Sequence, residues 1–437
     1  MNEGRVGRAL VTGAVWVTLA EVLAGLGALA TNVVGARVLS PADFGLMGIV
    51  GLAIAVLEAL TTSGFTQALV QKDEQVEPLL DVAWTWHVLR GLGIALILCA
   101  AAPLVARFYA EPRLTLLLMV SSLAIVLGGL SNIGTVFFDR KLDFRTQFLI
   151  KLGQTALALA VYLPVVLVLR NVWALAIAYV GGSLANLIIS YVAQPYRPRF
   201  SWDARKLRAL MRFGRWITGM TIVGFVILKG DDLFVSKYLG LTALGYYQMA
   251  YLVAMLPATQ VTHVISRVSF PAYARLQHDR AELARAFLKV TRTTLLLGAL
   301  ATAVIWVLTP LFVAHVIGDK WQSIVPLVRV LVWAGLVRCF AALAGPVFQG
   351  LGRPDLDLKM NLPRLIVTVA LIWPACARFG LEGAAWVVLV AICTTLPTWF
   401  WGIRALTGVG PLRVLREVAL AAAAGGAFGG ALWLSVR

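Results

Sequence analysis

Nine charged residues lie inside stretches of sequence that are otherwise apolar. Five are acidic and four are basic: Glu21, Glu58, Asp81, Asp231 and Asp232, with Arg90, Lys229, Arg329 and Arg338. A charge near the middle of a bilayer costs at least about 2.5–3.5 kcal/mol, so such a side chain normally faces a cavity or a partner group. These residues therefore predict a transport pathway.

The five acidic residues are candidates for ion coupling. Removal from water favours the protonated form of a carboxyl, which suits Glu21, Glu58, Asp81, Asp231 and Asp232 to exchange a proton or a sodium ion during transport. Glu21 lies on the same helical face as Asn32, eleven positions later, because eleven steps of 100° nearly complete three turns. That spacing predicts a polar stripe along the first helix.

The basic residues and Asn32 are candidates for substrate binding. Lys229 and Asp232 are three positions apart and can meet on one helical face. They either neutralise each other, so that the helix inserts cheaply, or form a pair that substrate or a cation opens during the cycle. Arg329 and Arg338 are nine apart and point to opposite faces, and the deeper Arg338 is the better candidate for a cavity.

The amino-acid composition is typical of a membrane protein. Of 437 residues, 60% are hydrophobic and only 14% are charged, against about 25% charged in soluble domains. Isolated strands cannot satisfy their backbone groups in lipid, so we expect an all-α polytopic membrane protein. The His and Cys residues are not at ligand spacing, and we expect no metal site.

Segments of about 20 apolar residues can span a membrane as helices. The best count is thirteen, within a range of twelve to fourteen: 9–36, 43–69, 79–105, 114–138, 145–169, 171–194, 210–237, 241–266, 290–317, 323–350, 361–379, 381–403 and 417–436. No segment between them is long enough for a soluble catalytic domain, and no Walker-type phosphate loop occurs. We expect a transporter and not an enzyme.

The formal net charge of +17 is explained by topology. Most Lys and Arg residues outside the spans fall in the segments on the N-terminal side of the membrane, which by the positive-inside rule is the cytoplasmic side. We therefore expect a multi-pass membrane protein with a cytoplasmic N-terminus. Nucleic-acid binding is not needed to explain the charge.

The chain resembles itself at an offset of 200 residues. Trp16-Val17-Thr18 aligns with Trp216-Ile217-Thr218, and Asn32 aligns with Asp232. Six predicted spans separate the copies, so both halves have the same orientation, as in two-lobed transporters. Chance similarity between apolar helices is the alternative. The repeat predicts an N-lobe at 1–194 (spans 1–6), a basic cytoplasmic linker at 195–209, a C-lobe at 210–403 (spans 7–12) and an extra C-terminal span at 404–437.

Several short motifs follow these spans in a fixed order. They are Leu39-Ser40-Pro41-Ala42-Asp43-Phe44-Gly45, Gly64-Phe65, Ala68-Leu69-Val70-Gln71, Arg140-Lys141-Leu142-Asp143-Phe144, Leu244-Gly245-Tyr246-Tyr247, Pro257, Pro271, Gly318 with Trp321, and Gln349-Gly350-Leu351-Gly352-Arg353-Pro354. Together they resemble the Wzx-type oligosaccharide-lipid flippases, polysaccharide transporters of the multidrug/oligosaccharidyl-lipid/polysaccharide (MOP) exporter superfamily.

That resemblance implies twelve or fourteen helices, in two six-helix lobes, and a location in the bacterial inner membrane. It further implies that the protein flips undecaprenyl-diphosphate-linked oligosaccharide repeat units by alternating access, for O-antigen, capsule or exopolysaccharide synthesis. It also implies polysaccharide polymerase and assembly proteins as partners, and no cofactor other than a coupling H⁺ or Na⁺. A guanidinium suits phosphate oxygens through its forked donors, so we assign Arg90 and Arg338 to the diphosphate. Lys229, Arg329 and Asn32 complete the substrate-binding candidates.

Two other functions compete with this one. A cation-coupled multidrug exporter of the same superfamily would explain the acidic residues within the spans. A membrane-embedded glycan polymerase or ligase would need catalytic groups on a sizeable external loop, and the outward loops are too short.

Overall fold

The computed structural model describes residues 3–71, 76–141, 143–276, 279–351, 353 and 355–436. Within these ranges the chain forms helices joined by turns and loops, with no strand, which confirms the all-α class. Three motif positions, Leu142, Gly352 and Pro354, lie outside the described residues. The chain forms two compact units, Met1–Lys229 (unit 1) and Gly230–Arg437 (unit 2).

Unit 1 is a set of helices in the order in which the spans were predicted. They are α1 (Glu3–Val38), α2 (Pro41–Thr61), α3 (Phe65–Gln71), α4 (Glu77–Phe108), α5 (Arg113–Gly129), α6 (Val136–Arg140), α7 (Phe144–Leu169), α8 (Val172–Ala193) and the first part of α9 (Ala204–Tyr238). Helix α1 packs on α7, α4 packs on α5, and both α5 and α7 pack on α8.

The first motif forms the N-terminus of α2. The Ser40 hydroxyl accepts a hydrogen bond from the Asp43 amide at 3.2 Å, and the Asp43 carboxylate accepts one from the Ser40 amide at 2.9 Å. This reciprocal capping box satisfies two amides that the helix leaves unpaired, and Pro41 in the first turn has none to lose. The motif thus fixes where α2 begins.

The segment that follows α8 is anchored within unit 1. Residues 194–203 have no regular secondary structure, and α9 begins at Ala204. The Asn132 side-chain amide donates to the carbonyls of Gln194 at 3.2 Å and Tyr196 at 2.7 Å, and the Gln194 amide donates to the Gly134 carbonyl at 2.8 Å. The predicted linker 195–209 is therefore part extended chain and part helix, and its first residues are fixed to the α5–α6 junction.

Unit 2 contains the rest of α9 and seven further helices among its described residues. They are α10 (Leu241–Arg275), α11 (Arg280–Leu311), α12 (Ile324–Ala341), α13 (Ala344–Gly350), α14 (Asp355–Cys393), α15 (Leu396–Thr407) and α16 (Pro411–Val436). A π-helical segment, Phe312–Ile317, and a 3₁₀ turn, Asp319–Trp321, join α11 to α12. Both α10 and α11 pack on α12, and α16 packs along α11.

Small residues let the helices of unit 2 approach closely. A Cβ on Gly335 of α12 would lie 2.9 Å from the Ala254 carbonyl oxygen of α10, and one on Gly425 of α16 would lie 2.9 Å from the Ala299 Cβ of α11. In membranes such contacts replace the hydrophobic driving force between helices. The last predicted span is thus an integral part of unit 2.

The structure has a helix at each of the thirteen predicted spans. By length and apolar composition, nine helical segments of the described residues can cross a membrane, or ten with the bent pair Arg113–Gly129 and Ile133–Arg140. One of the nine, Lys359–Thr407, has 49 residues, about 74 Å of helix, which is twice the length one crossing needs. It changes direction at Gly380, whose φ of 58° favours glycine.

Four predicted spans differ from continuous helices. The span 43–69 breaks between α2 and α3, 114–138 bends by 55° between α5 and the Ile133–Arg140 segment, 323–350 breaks between α12 and α13, and 381–403 breaks between α14 and α15. Gly64, with φ of 61°, makes the first of these turns. Hydropathy alone does not detect such breaks, because the residues on both sides are equally apolar.

The helix bounds follow the sequence repeat. Helix α1 ends at Val38 and α2 begins at Pro41, while α9 ends at Tyr238 and α10 begins at Leu241. The two junctions therefore coincide at the predicted offset of 200. The division into functional lobes at 1–194 and 210–403 stays a prediction, because the boundary between the two compact units falls elsewhere in the sequence, between Lys229 and Gly230 of α9.

Candidate functional site

Two groups of polar side chains lie within the helices, one in each unit. The group in unit 1 is centred on Arg90 of α4. Its Nε donates to the Thr61 hydroxyl at 3.0 Å, and one terminal nitrogen donates to the Glu58 carbonyl at 3.3 Å. The guanidinium thus binds the C-terminal end of α2, where carbonyls lack helical partners. The Glu58 side chain is near enough to interact with it electrostatically.

Three consecutive residues with hydroxyl groups, Thr61, Thr62 and Ser63, lie at the C-terminal end of α2 and in the turn that follows it. Thr61 donates to the Leu57 carbonyl at 2.6 Å, and Thr62 donates to the Glu58 carbonyl at 2.7 Å. Thr218 of α9 donates to the Thr62 carbonyl. Ser63 follows in the turn before α3. The break in the second predicted span therefore places these hydroxyls beside Arg90.

A cavity of about 650 Å³ opens beside this group. Its polar lining comes from Thr61, Thr62, Ser63, Arg90 and Thr218, together with Trp86. The remaining lining is Leu60, Gly93, Ile94, Ile97, Met211, Gly219 and Ile222. Pockets for small ligands have volumes of about 300–1,000 Å³ and are mostly apolar with a few polar groups. This cavity has both properties.

Of the other sequence candidates in unit 1, Glu21 and Asn32 share a helix as predicted. Both are partly exposed on α1, and the Asn32 amide donates to the Ala28 carbonyl of its own helix at 2.8 Å. Glu58 is an exposed side chain on α2. The structure thus brings Glu58 next to Arg90, two residues that the sequence treated separately.

Asp81 holds the chain segment after α8. Its carboxylate accepts hydrogen bonds from the Tyr196 hydroxyl and, at 2.9 Å, from the Arg199 amide, and nearby Thr85 accepts one from the Ser201 amide at 2.9 Å. Burial and the bond to Asp81 raise the pKa of Tyr196, which therefore stays a donor. These contacts favour a structural role for Asp81 over the ion-coupling role predicted for it.

The group in unit 2 is centred on two adjacent buried carboxyl groups, Asp231 and Asp232 of α9. The Tyr247 hydroxyl donates to Asp231 Oδ2 at 2.6 Å, and the Gln248 amide donates to Asp232 Oδ2 at 3.2 Å. Asp231 also accepts from the backbone amide of Asp232 at 3.0 Å. Asp231, Asp232 and Tyr247 are 6%, 4% and 0% exposed, so these polar groups are largely removed from water.

Two arginines lie near this carboxyl pair. A terminal nitrogen of Arg338 donates to the Tyr251 hydroxyl at 3.4 Å, and Tyr251 packs against the ring of Tyr247, with centroids 6.1 Å apart. Arg364 of α14 is 9% exposed and interacts with Tyr251, Asp231 and Arg338. The cluster therefore combines two carboxyl groups with two guanidinium groups.

Sequence reasoning found three members of this cluster and missed the others. Arg364 was not among the predicted site residues. It is the tenth residue of α14, and its position as the fourth residue of the predicted span 361–379 was a usable signal. Tyr247 and Tyr251 are one helical turn apart on α10, a spacing that puts both phenols on one face. Nothing in the sequence pairs them with α9 or α14.

The other two basic candidates are exposed. Lys229 is an exposed residue of α9, the helix that also carries the buried Asp232. The Arg329 guanidinium lies 5.0 Å from the ring centroid of Trp306 on α11, a cation–π contact. The sequence placed Arg329 and Arg338 on opposite faces of α12, and their different neighbours and exposure agree with that placement. Among the described residues, no group of three His, Cys, Asp or Glu side chains is arranged to hold a metal ion.

Residues 34–326 match the family described as "Polysaccharide biosynthesis protein". The chain belongs to this family. It is also similar to the lipopolysaccharide biosynthesis protein WzxC of Escherichia coli (strain K12), with 27% identity over 406 residues, which cover 91% of this chain and 82% of that protein. The chain is therefore a multi-pass membrane protein of this polysaccharide biosynthesis family.

Solved structures share its fold. The lipid II flippase MurJ, in an inward closed conformation, matches with a TM-score of 0.75 and 12% identity over 94% of this chain and 90% of that chain. An inward-facing multidrug resistance MATE family transporter of the MOP superfamily matches with a TM-score of 0.68 and 15% identity over 90% and 94% of the two chains. The family match thus confirms the resemblance to polysaccharide transport proteins that the motifs indicated, and these structures show that the fold is shared.

Proposed function

We propose that this protein flips undecaprenyl-diphosphate-linked oligosaccharide repeat units across the bacterial inner membrane for the synthesis of a surface polysaccharide. The observation that carries this proposal is the family match over residues 34–326. The similarity to WzxC and the fold shared with a lipid II flippase support the same reaction class. The asymmetry of Lys and Arg residues supports a cytoplasmic N-terminus.

The mechanism that we propose is alternating access. The polar headgroup crosses through the protein while the prenyl tail stays in the bilayer, so the charged and hydrated part of the substrate never meets hydrocarbon. Coupling to an ion biases this cycle only if the two states bind the ion with different affinity. Polysaccharide polymerase and assembly proteins are its proposed partners.

Arg90 and Arg338 are the proposed diphosphate ligands. Each binds hydroxyl or carbonyl oxygens and no carboxylate oxygen of the described residues. A guanidinium bound to neutral acceptors keeps its full charge available for phosphate oxygens. Lys229, Arg329 and Asn32 are weaker candidates, because they are exposed or bonded to their own helix.

Asp231 and Asp232 are the proposed ion-coupling residues. Two adjacent carboxyl groups out of contact with water favour the uptake of one cation, either a proton or a sodium ion. Arg364 lies close enough to Asp231 to respond to that change of charge, and it interacts in turn with Arg338. This arrangement would link ion uptake to phosphate binding at Arg338. Glu21 and Glu58 remain further coupling candidates.

Complementation of a strain that lacks this gene tests the function and the two ligands. The wild-type protein restores the surface polysaccharide and prevents lipid-linked glycan from accumulating in the cytoplasmic leaflet. We expect Arg90→Ala and Arg338→Ala to restore neither. Arg113→Ala is the matched control, because Arg113 is exposed and forms an ion pair with Glu111 in the turn before α5. Full activity of both test variants would reject the assignment of the ligands.

A cation-coupled multidrug exporter is the second candidate. The buried acids of α9 suit a cationic substrate, and the fold is shared with a multidrug resistance transporter. Drug susceptibility measured beside surface polysaccharide in the same deletion strain separates the two functions. Loss of drug resistance with unchanged polysaccharide would favour the exporter.

A further inference from the structure

A second cavity, of about 190 Å³, lies among four helices of unit 2: α11, α12, α15 and α16. Its walls carry hydrocarbon side chains, such as Leu295 of α11, Phe340 of α12, Phe400 of α15, and Leu415 and Ala422 of α16. Leu415 and Ala422 are exposed, so the cavity opens as a groove along α16. Burying a sugar hydroxyl or a phosphate oxygen against such walls would cost free energy, whereas an acyl chain suits them.

Exposed arginines lie at one end of this groove. Arg292 precedes the lining residue Leu295 by three positions on α11, and Arg404 follows the lining residue Phe400 by four positions on α15. Each is therefore about one helical turn beyond the groove, or about 4.5–6 Å, and on the same face of its helix. A short turn joins the end of α15 to the start of α16, which brings the exposed Arg416 to the same end.

The positive charge at this end exceeds the negative charge beside it. Glu417 Oε2 lies 3.8 Å from Arg292 Nε, which is an ion pair but is too long for a hydrogen bond. Arg404 and Arg416 form no side-chain hydrogen bond or ion pair with another described residue. Three guanidinium groups thus face one carboxylate, and guanidinium groups bind phosphate oxygens through their forked donors.

We propose that this groove binds an anionic membrane phospholipid, with the headgroup phosphate on the arginines and one acyl chain between the apolar walls. Basic pockets between transmembrane helices on the cytoplasmic side bind anionic headgroups, and the asymmetry of Lys and Arg residues puts this end of α11 on that side. The bound lipid holds α16 against α11 and α15. This inference is independent of the proposed function, because the ligand is a lipid of the surrounding bilayer and not the transported substrate.

The charges at the mouth of the groove give a test of sign. Arg404→Gln removes one cation and should weaken the binding of an anionic lipid about fivefold. Glu417→Gln removes the carboxylate that repels the headgroup and should strengthen binding at least about twofold. Arg378→Gln is the matched control, because Arg378 is an exposed arginine of α14 beside the turn at Gly380, away from the groove.

The open side of the groove gives a second test, which does not depend on charge. Ala422 lines the groove and is exposed, so Ala422→Phe fills the groove from its open side without displacing the packed side chains beneath. Ala423 is also exposed on α16 but does not line the groove. Ala423→Phe is therefore the matched control, since both substitutions add the same ring to the same helix.

Photolabelling of the purified full-length protein in mixed micelles is the measurement. The probe is phosphatidylglycerol with a diazirine in one acyl chain, and mass spectrometry locates the labelled peptides. We expect labelling of α11, α15 and α16 that saturates as the probe increases. Ala422→Phe should raise the half-saturating amount of probe at least about tenfold, while Ala423→Phe and Arg378→Gln leave it unchanged. Labelling that does not saturate, or an unchanged value in Ala422→Phe, would overturn the proposal.

Unlabelled competitors identify the chemistry that the groove recognises. Phosphatidylcholine has the same chains with a zwitterionic headgroup, and we expect it to compete at least about tenfold more weakly than phosphatidylglycerol. Farnesyl phosphate has an anionic headgroup on a methyl-branched prenyl chain and should also compete more weakly. Equal competition by phosphatidylcholine would reduce the site to an apolar groove, and equal competition by farnesyl phosphate would assign it to a prenyl lipid. Either result would overturn the proposal, as would equal binding by Arg404→Gln and the wild-type protein.

Discussion

The hydrogen bond from Tyr247 to Asp231 makes a quantitative prediction about the buried cluster of unit 2. Tyr247 is completely buried, and its hydroxyl lies 2.6 Å from Asp231 Oδ2. Tyr247→Phe keeps the ring and its contact with Tyr251 but removes the donor. A buried acceptor that loses its partner costs about 1–3 kcal/mol, and the bond at this short distance belongs in the upper half of that range. We expect the free energy of unfolding to fall by about 2–3 kcal/mol.

The adjacent residue provides the control. The Tyr246 hydroxyl donates to the Lys320 carbonyl at 3.0 Å in an exposed position, where water replaces the lost donor. Tyr246→Phe should change the free energy of unfolding by no more than about 0.5 kcal/mol. Both variants are compared by reversible unfolding of the full chain in mixed micelles. Equal losses in the two, or a loss below about 0.5 kcal/mol for Tyr247→Phe, would refute the view that this cluster is desolvated.

Three further predictions test other parts of the structure. The Trp86 indole N–H is buried without an acceptor among the described residues. Trp86→Phe should therefore leave the free energy of unfolding, measured by the same reversible unfolding, unchanged or raised. A decrease above about 1 kcal/mol would contradict this. Asp81→Ala should accelerate amide hydrogen exchange in residues 195–203 at least about tenfold, because the segment loses two hydrogen bonds. Unchanged protection there would show that other contacts hold it. Gly335→Ala should lower the free energy of unfolding by about 1–3 kcal/mol, because its Cβ would contact the Ala254 carbonyl. Gly345→Ala, which has open space around the new Cβ, should raise it by up to about 1 kcal/mol. Similar effects of the two alanines would remove close packing as the explanation.

The sequence predicted the features of the fold that depend on local chemistry. The repeat at an offset of 200 correctly aligns the end of α1 with the end of α9. Apolar length placed a helix at every expected span. The break at Gly64 was not predicted, although it creates the hydroxyl wall beside Arg90, because hydropathy does not report a turn between two apolar helices.

The site was predicted in part because charge in an apolar segment is visible along the chain, whereas its partners are not. Asp231, Asp232 and Arg338 were selected on this basis, and they lie in one cluster. Arg364 was missed because the end of a span cannot be located within one helical turn from hydropathy. Asp81 was selected for the same reason as Asp231, but it binds Tyr196 and Arg199, which are more than one hundred positions away.

The central claim is that this chain moves a lipid-linked glycan from one leaflet to the other. The most direct measurement reconstitutes the purified protein into vesicles that contain an undecaprenyl-diphosphate-linked oligosaccharide and follows how much glycan an external lectin can reach over time. The account predicts that the accessible glycan exchanges between leaflets with the wild-type protein and that Arg338→Ala slows the exchange to the rate of protein-free vesicles. Exchange at the protein-free rate with folded wild-type protein would contradict it.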